Sequence, residues 1–483
     1  MNGEKLKEWG IPEGKHFRDL LNVVNLMENK GSSLDEIKFA ALKFYDDVLE
    51  KQKVYEESLL SLRTNSRPFE IFLDPESDDE RENLKNVIQH MDAIMRLPTV
   101  ERAAVMPDSM PAGNQLGTIP VGGVIETKGT IHPGMHSADI CCSMAVTIFK
   151  RNDDVKRVLD EAMKVTHFGL GKRSKSEVRR NHKLKELISK FEGNSFLDNK
   201  KFVDAAENHF MTQGDGNHFL YVGELESTGQ MCLVTHHGSR SLGGLLYKHG
   251  MSAAKKHTAV VAPRIPEHQA WLDYDSKIGH DYWIALQTVR LWTKMNHFAI
   301  HETIAKRLGN SMEDWFWNEH NFVFKRGDNF FHAKGATPSY DGYSLDDNGI
   351  TIIPLNMAQP ILLTSHANSD KNLGFAPHGA GRNLSRTEHT RRIVDEFGVR
   401  DQWNKNRTVP KEVKDAVLKR ETEGLDIRFY TGDIDISELP SSYKNAEQVQ
   451  SQINKYGLAT VEDRIMPRGS IMAGVVDMPW KKK

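Results

Sequence analysis

The chain has 483 residues, a length that allows two or three average domains or one elaborate core. Its content of 39% hydrophobic and 27% charged residues describes an ordinary soluble globular protein. The formal net charge of -2 excludes a global positive field, so nucleic acid could bind only through a local basic groove.

Signals for membrane insertion or export are missing from the sequence. No stretch approaches the apolar length that spans a bilayer, and the charged N-terminus lacks the apolar segment of a signal peptide. The three cysteines, Cys141, Cys142 and Cys232, form no disulfide framework and suit a reducing compartment. We therefore expect a cytoplasmic protein that makes no membrane contact.

The N-terminal pattern is helical. Ser33 and Glu36 have the spacing of a capping box, and apolar residues follow at helical intervals. After a second helix, short strand-like runs begin. The pattern predicts a helical N-terminal extension over residues 1–80 and a main domain over residues 81–483.

The main domain mixes strand-like and helix-like segments. Short apolar runs bounded by glycine and proline predict strands at residues 103–106, 119–125, 144–149, 231–235, 321–325, 329–333 and 349–354. Helical spacing predicts helices within residues 153–210, 281–308, 411–420 and 445–456. Because these segments follow no regular strand–helix–strand rhythm, we expect an α+β fold: a single large core of mixed β-sheets flanked by helices, not a doubly wound sheet.

One segment carries most of the chemical information, and it runs His378-Gly379-Ala380-Gly381-Arg382-Asn383-Leu384-Ser385-Arg386. The small residues let a bound group approach the backbone, and the arginine forks suit phosphate oxygens. An imidazole beside phosphate-binding arginines can attack phosphorus and carry a nucleotide covalently. For this segment alone, the alternative is a glycine turn before an ordinary basic helix.

This segment resembles the HGAGR-x-x-SR signature of the RtcB-type RNA ligases, and further blocks resemble that family in its order. They are Met106-Pro107-Asp108, Ala138-Asp139-Ile140-Cys141-Cys142-Ser143-Met144, Gly216-Asn217-His218-Phe219, His236-His237-Gly238-Ser239-Arg240, His320-Asn321, Lys334-Gly335-Ala336-Thr337 and Ser442-Tyr443-Lys444. The resemblance covers roughly residues 85 to 474. It implies an RtcB-like fold and makes residues 81–483 the ligase domain.

The resemblance implies a centre of two manganese ions. The implied ligands are Asp139, Cys142, His218, His236 and His320. Since Asp139 and Cys142 are three residues apart in a tight loop, both side chains can point at one locus, where a thiolate can bridge two divalent ions. The softness of thiolate and imidazole alone would permit zinc or iron equally. Any one of the three imidazoles, taken alone, could instead be a core histidine satisfied by a hydrogen bond.

A three-step ligation is also implied. His378 attacks the α-phosphate of GTP, and the nucleotide passes to an RNA 3′-phosphate, which arises from a 2′,3′-cyclic phosphate; a 5′-hydroxyl end then displaces GMP. The residues implied at the nucleotide are Asn217, His320, Asn356, Met357, His378, Gly379, Ala380, Gly381 and Tyr443. Those implied at phosphate or RNA are Arg240, Arg382 and Arg386, and a basic run at residues 172–185 adds Arg179 and Arg180, although such a run is usually a solvated face.

Several positions depart from the family pattern. Tyr221 stands where the family has an acidic residue that contacts guanine, and Ala473 stands where it has a lysine at the nucleotide. Met110 replaces a histidine, Cys141 replaces a glycine, and residues 354–358 differ from the usual PGSMG loop. Loss of the carboxylate removes a guanine contact worth roughly 1.5–3 kcal/mol. The nucleotide is therefore GTP bound by other residues, ATP, or a less selective set.

Two other functions stay open beside RNA ligation in repair or tRNA splicing. An RNA-end nucleotidyl transferase or phosphatase of the same fold would act without sealing, and a non-catalytic RNA-binding relative would keep only the fold. Retention of the whole ligand set and of His378 favours the ligase. A non-catalytic protein has little physical reason to keep a buried cluster of thiolate, imidazole and carboxylate.

Overall fold

The structure is a computed structural model that describes residues 1–169, 181–406 and 408–475. Its contacts divide the chain into a smaller unit, residues 1–61 with 259–264, and a larger unit that holds the rest. Residues 62–80 belong to the larger unit. The functional boundary at residue 80 stays a prediction.

The smaller unit is helical, as its pattern predicts. Its helices are α1 (Gly3–Glu8), α2 (Phe17–Asn29) and α3 (Leu34–Ser58). The capping box is present: the Ser33 hydroxyl accepts from the backbone N–H of Glu36, whose carboxylate accepts in return from the backbone N–H of Ser33. The apolar sides of the helices share a core of their own, formed by Leu6, Ile11, Phe17, Leu20, Val24, Ile37 and Ala41.

The remaining chain alternates irregularly between helices and strands. The helices are α4 (Asp78–Ile94), α5 (Val155–Val165), α6 (His182–Ser189), α7 (Lys200–Asn208), α8 (Arg240–Val261), α9 (Lys277–Leu308), α10 (Arg386–Glu396), α11 (Arg400–Asn406), α12 (Lys411–Glu421) and α13 (Ala446–Tyr456). Among the residues described, none of the helices combines the length and apolar character that a bilayer crossing requires.

The strands are β1 (Glu70–Ile71), β2 (Val100–Met110), β3 (Val121–Lys128), β4 (Thr130–Ile131), β5 (Ser143–Phe149), β6 (His167–Phe168), β7 (Thr212–Gly214), β8 (Phe219–Leu225), β9 (Met231–His237), β10 (Leu272–Asp273), β11 (Met312–Glu319), β12 (Asn321–Arg326), β13 (Asn329–Lys334), β14 (Ala336–Pro338), β15 (Ile350–Pro354), β16 (Ile361–His366), β17 (Phe375–Pro377), β18 (Asp426–Phe429) and β19 (Ala459–Met472).

Two main sheets organise the larger unit. One has eight strands in the order β11-β5-β9-β8-β19-β16-β15, with β18 beside β19, and the other has the order β1-β2-β3-β13-β12. Most neighbours pair antiparallel, whereas β1 with β2 and β18 with β19 pair parallel. This architecture confirms the predicted α+β fold of mixed sheets flanked by helices.

Strand register brings the ends of β5, β8 and β9 to one place. Ser143 pairs with His237, and Phe219 pairs with His236, so the residues just before β5 and β8 lie beside the end of β9. The neighbouring strand β11 ends at Glu319, and after one residue the chain enters β12 of the other sheet. His320 is that residue, and it therefore stands at the crossing between the two sheets.

Helix α9 supports these strand ends from behind. It begins at the Ser276 cap, whose hydroxyl accepts from Gly279, and confirms the long helix predicted over residues 281–308. From α9 the buried imidazole of His297 makes two hydrogen bonds to the sheet, 3.0 Å to the hydroxyl of Ser143 and 2.7 Å to that of Thr235. These contacts tie the start of β5 to the end of β9.

Candidate active site

A tight turn places Asp139 and Cys142 side by side. Cys141 adopts a left-handed backbone conformation with φ +58°, where a glycine is the residue of lowest strain. The turn is docked on the sheet crossing, because the N–H of Cys141 donates to the carbonyl of Asn321 at 2.7 Å and the carbonyl of Cys142 accepts from His320 at 2.9 Å. The predicted common locus of the Asp139 and Cys142 side chains is therefore formed.

His218 completes a first group of ligand atoms. Its Nδ1 lies 2.7 Å from the carbonyl oxygen of Gln213, and since a carbonyl only accepts, Nδ1 must carry the proton. The lone pair on Nε2 then faces Oδ2 of Asp139 at 3.1 Å and Sγ of Cys142 at 3.4 Å. In the neutral ring this nitrogen is an acceptor that faces a carboxylate oxygen, an arrangement that a cation placed between the two satisfies.

His236 and His320 form a second group with the same sulfur. Nδ1 of His236 donates to the carbonyl of Asn217 at 3.1 Å, which leaves the Nε2 lone pair directed inward. That Nε2 lies 3.2 Å from Sγ of Cys142 and 3.2 Å from Nε2 of His320. Cys142 is therefore common to both groups, the position that a bridging ligand occupies.

Burial sets the protonation of these groups. It holds the pKa values of His236 and His320 well below their usual range, with a further lowering from neighbouring imidazoles, so both rings are neutral and able to ligate. Burial also raises the pKa of the Cys142 thiol far above its usual range. A thiolate at this depth thus requires a cation to stabilise it, whereas the imidazoles are ready as they stand.

His378 stands next to this cluster. Its Nδ1 lies 2.5 Å from Oδ2 of Asp108 and 2.9 Å from the carbonyl of Gly335, so Nδ1 carries a proton, and in the neutral ring Nε2 carries the lone pair. The ring centroid is 4.8 Å from that of His320. In the sequence Asp108 is part of a motif block without a predicted role of its own. Its contact with His378 is seen only in the structure.

Gly381 allows the His378 loop to close on Asp108. It has φ +73°, and a Cβ atom there would lie 2.3 Å from the carbonyl oxygen of Asp108, too close for any side chain. At Gly381 the small residue therefore allows close approach of the chain's own backbone at Asp108, and the predicted approach of a bound group stays a prediction.

Comparison with known proteins identifies the family. The family model described as tRNA-splicing ligase RtcB matches residues 90–473. The chain belongs to the RtcB family. It is 25% identical over 401 residues to RNA-splicing ligase RtcB2 of Escherichia coli, covering 79% of this chain and 90% of that protein. It is 24% identical over 452 residues to the tRNA-splicing ligase RtcB of Thermococcus kodakarensis, covering 78% of this chain and 89% of that protein. At this level of identity it is a divergent member.

A cavity of about 470 Å³ opens beside His378 in this RtcB-family protein. Its wall includes most of the residues that the sequence assigned to a nucleotide, namely Asn217, Asn356, Met357, His378, Gly379, Ala380, Gly381 and Tyr443. His320, also predicted at the nucleotide, does not line the cavity but contacts the ring of His378, which does. His236 lines the cavity too, so the ligand cluster and the cavity adjoin.

The predicted phosphate-binding arginines are present but already paired. Arg382 and Arg386 line the cavity, and both contact the buried carboxylate of Glu438, with Nε of Arg386 at 2.6 Å. The hydroxyl of Tyr443 donates to the same carboxylate at 2.7 Å. The sequence did not predict a role for Glu438, because its arginine partners lie far from it along the chain and Glu438 belongs to none of the motif blocks.

The other basic residues predicted to contact phosphate or RNA are Arg240, Arg179 and Arg180. Arg240 is partly buried and donates to the hydroxyl of Thr212 at 3.3 Å. Burial lowers the pKa of Arg240, while the nearby charge of Asp139 acts in the opposite direction. Arg240 therefore belongs to the surroundings of the ligand cluster, whereas Arg179 and Arg180 lie outside the described residues.

The two main departures from the RtcB pattern occupy different places. Tyr221 lies in the cavity wall, and its buried hydroxyl donates to the carbonyl of Ile465 at 2.9 Å. Ala473 is buried in the core behind the cavity, and Ser470 and Met472 line the cavity instead. The wall therefore offers neither a carboxylate nor an amine at these positions.

Proposed function

We propose that this RtcB-family protein is a nucleotide-dependent RNA ligase, acting in RNA repair or tRNA splicing. It joins an RNA 3′-phosphate or 2′,3′-cyclic phosphate end to a 5′-hydroxyl end through a nucleotide carried on His378. The observation that carries this proposal is the placement of the His378 ring 4.8 Å from His320, at the edge of a cluster of converging acceptors. Relatives named as RNA-splicing and tRNA-splicing ligases cover most of the chain and support it.

The converging acceptors fit a pair of divalent ions, for which we propose manganese. Asp139 and His218 would hold one ion and His236 and His320 the other, with Cys142 shared between them. When bound, the ions would neutralise phosphate charge that accumulates as pyrophosphate leaves. Imidazole nitrogens that converge on one buried sulfur beside a carboxylate are the reason that the site suits cations.

His378 would supply the nucleophile. Its Nε2 lone pair attacks the α-phosphorus of a nucleoside triphosphate, a nitrogen–phosphorus bond forms, and the bond to pyrophosphate breaks. The ring gains positive charge in this step, which the carboxylate of Asp108 at Nδ1 stabilises. The cavity beside the ring would hold the rest of the nucleotide, for which we propose GTP.

The remaining steps transfer the nucleotide and seal the RNA. A 2′,3′-cyclic phosphate end is first hydrolysed by water, which breaks the O2′–phosphorus bond. An oxygen of the RNA 3′-phosphate then attacks the phosphorus on His378, and the nitrogen–phosphorus bond breaks. The 5′-hydroxyl oxygen then attacks the activated 3′-phosphate, loses its proton and displaces the nucleoside monophosphate. Arg382 and Arg386 at the cavity would contact phosphate on exchanging their bonds with Glu438.

Covalent labelling tests the proposal. The full chain is incubated with Mn²⁺ and α-³²P-labelled GTP or ATP, and protein-bound label that is lost in acid is expected for a phosphoramidate. His378→Ala should take no label, whereas His280→Ala, a change at an exposed histidine, should label normally. The proposal is wrong if neither nucleotide labels the protein while an E. coli RtcB ligase labels in parallel.

RNA end chemistry distinguishes the ligase from a non-sealing relative. An RNA with a 2′,3′-cyclic phosphate end and a labelled 5′-hydroxyl partner should yield a joined product that resists phosphatase. Labelled protein without joined RNA, together with a capped or dephosphorylated 3′ end, would indicate a nucleotidyl transferase or phosphatase instead.

A further inference from the structure

A second group of ligand-type side chains lies at the loop between β14 and β15. Asp341 and Asp347 belong to that loop, and His366 is the last residue of β16. One nitrogen or oxygen atom from each of the three lies within 4.8 Å of the others. None of these residues contributes to the cluster around Cys142 or to the cavity beside His378.

The imidazole of His366 is buried with one nitrogen unsatisfied. Its side chain is 1% exposed, and Nδ1 lies 3.0 Å from Oδ1 of Asp341. Because a carboxylate only accepts, Nδ1 carries a proton, and in the neutral ring Nε2 presents a lone pair. Within the part of the chain that the structure describes, Nε2 has no hydrogen-bond partner. Buried polar nitrogens normally have a hydrogen-bond partner, and here no donor in the described part of the protein supplies one.

The atom nearest to this lone pair is a carboxylate oxygen. Oδ1 of Asp347 lies 3.7 Å from Nε2 of His366, which is too long for a hydrogen bond. Two ligands that each lie about 2.1 Å from one metal ion, at a near-tetrahedral angle, are roughly 3.5 Å apart. The separation of Nε2 from Oδ1 therefore fits a shared ion better than a direct contact.

Charge on the loop also calls for a cation. A third aspartate, Asp346, is neutralised by Arg290 and Lys294. Asp341 and Asp347 have no lysine or arginine within ion-pair distance among the residues described. Their orientation is nevertheless fixed: Asp347 accepts backbone hydrogen bonds from two glycines of the loop, and the amide of Asn368 donates to Asp341.

We propose that this group is a second metal site, which binds a divalent transition-metal ion between Nε2 of His366 and Oδ1 of Asp347. Asp341 holds the ring through Nδ1 and adds negative charge, the arrangement that orients metal-binding histidines. Water completes the coordination sphere on the exposed side of the loop. An imidazole ligand favours zinc-like ions over magnesium or calcium. The bound ion ties the β14–β15 loop to the end of β16.

Metal content tests this site without reference to the first one. The full chain is saturated with Zn²⁺, passed over a desalting column and analysed by mass spectrometry for zinc per chain. Asp347→Asn and His366→Gln should each hold one ion fewer than the wild type. Asp370→Asn, which removes a carboxylate from a nearby surface ion pair, should hold the wild-type number. Equal zinc content in all four proteins overturns the proposal.

Crystallography of the wild type gives an answer even if the variants fold poorly. Data collected on either side of the zinc absorption edge from crystals grown with Zn²⁺ should show an anomalous peak between residues 347 and 366. A peak at Cys142 alone would mean that His366 is satisfied by a proton only, and would overturn the second site. Because the two positions are resolved separately, loss of one does not decide the other.

Discussion

Nδ1 of His378 lies 2.5 Å from Oδ2 of Asp108, and this contact leaves Nε2 as the ring nitrogen available for the proposed attack on phosphorus. Asp108 is completely buried, and its other carboxylate oxygen has no hydrogen-bond partner among the described residues. The ammonium of Lys444 donates to the carbonyls of Pro107 and Ser109, on either side of Asp108. Lys444 thus anchors the backbone on both sides of Asp108, and its buried positive charge lies close to the carboxylate.

Asp108→Asn should slow the labelling of His378. The amide keeps the size of the side chain but loses the charge that fixes the tautomer and stabilises the cationic ring. Loss of the equivalent charge beside a catalytic histidine costs up to about 10⁴-fold in kcat, so a fall of at least about 10²-fold is expected. The KM for nucleotide should change little, because Asp108 does not line the cavity. Initial rates of labelling across nucleotide concentrations measure both quantities.

Asp370→Asn serves as the charge-matched control for that experiment, since Asp370 pairs with Arg102 away from the cavity. An Asp108→Asn protein that labels at the wild-type rate would contradict the assigned role of Asp108.

Lys444→Met should lower stability. Methionine fills similar space, but the carbonyls of Pro107 and Ser109 then lose a buried donor, which costs about 1–3 kcal/mol in the free energy of unfolding. Urea unfolding followed by circular dichroism should show an earlier midpoint. Lys419→Met, at an exposed position in α12, should leave the midpoint unchanged. Equal midpoints for both variants would mean that water replaces the ammonium without loss.

The family resemblance of the motif blocks predicted which side chains gather around Cys142, and in the structure each block lies at a strand end or in a tight turn. Register then brings those ends together, which sequence order alone does not reveal. The role of Glu438 could not be predicted, because it depends on contacts with Arg382, Arg386 and Tyr443 that only the folded chain forms. The same holds for the pairing of Asp108 with His378.

Two large elements escaped prediction for local reasons. Helix α8, which begins at Arg240, contains several glycines that weaken a helical pattern, and Gly250 is there because Tyr282 packs against it. Strand β19 is long, but its pairing with β8 shifts register between Pro467 and Gly469, so its apolar alternation is broken. In both cases tertiary packing overrides the local pattern.

The cavity should discriminate weakly between guanine and adenine. Tyr221 occupies the place of the guanine-binding carboxylate, and its hydroxyl is engaged by Ile465. A carboxylate contact would supply roughly 1.5–3 kcal/mol, or about 10- to 150-fold, and without it the labelling rates with GTP and ATP should lie within about tenfold. Rates at subsaturating nucleotide test this. A preference for GTP above about a hundredfold would mean that other groups in the wall bind guanine specifically.

Ser470 is a candidate for such a group. It lines the cavity beside Tyr221, its register partner on β8, and its buried hydroxyl has no hydrogen-bond partner within the described ranges. Ser470→Ala should therefore raise the KM for nucleotide about fivefold, the value of one hydrogen bond, while the urea midpoint stays the same. An unchanged KM for every nucleotide would remove Ser470 from the binding site.

Acid should destabilise the fold through its buried neutral histidines. Burial lowers the pKa of His132 to about 4, although its hydrogen bond to Gln269 acts in the opposite direction. In the unfolded chain the pKa of histidine is about 6.5. As the pH falls from about 6.5 to about 4, the unfolded state therefore binds a proton that the folded state excludes. The free energy of unfolding then falls by about 1.4 kcal/mol per pH unit for this one residue, and it is unaffected above that window.

His132→Gln isolates this effect. Glutamine can still donate to the carbonyl of Gln269 but does not titrate. The variant should therefore be less stable than the wild type at about pH 7.5, and the difference in the free energy of unfolding should shrink toward about pH 5. Urea midpoints measured at intervals across that range give the two slopes, which should differ by about one proton. Parallel curves would show that His132 is already protonated in the folded state or remains neutral in the unfolded chain, and either result contradicts the linkage.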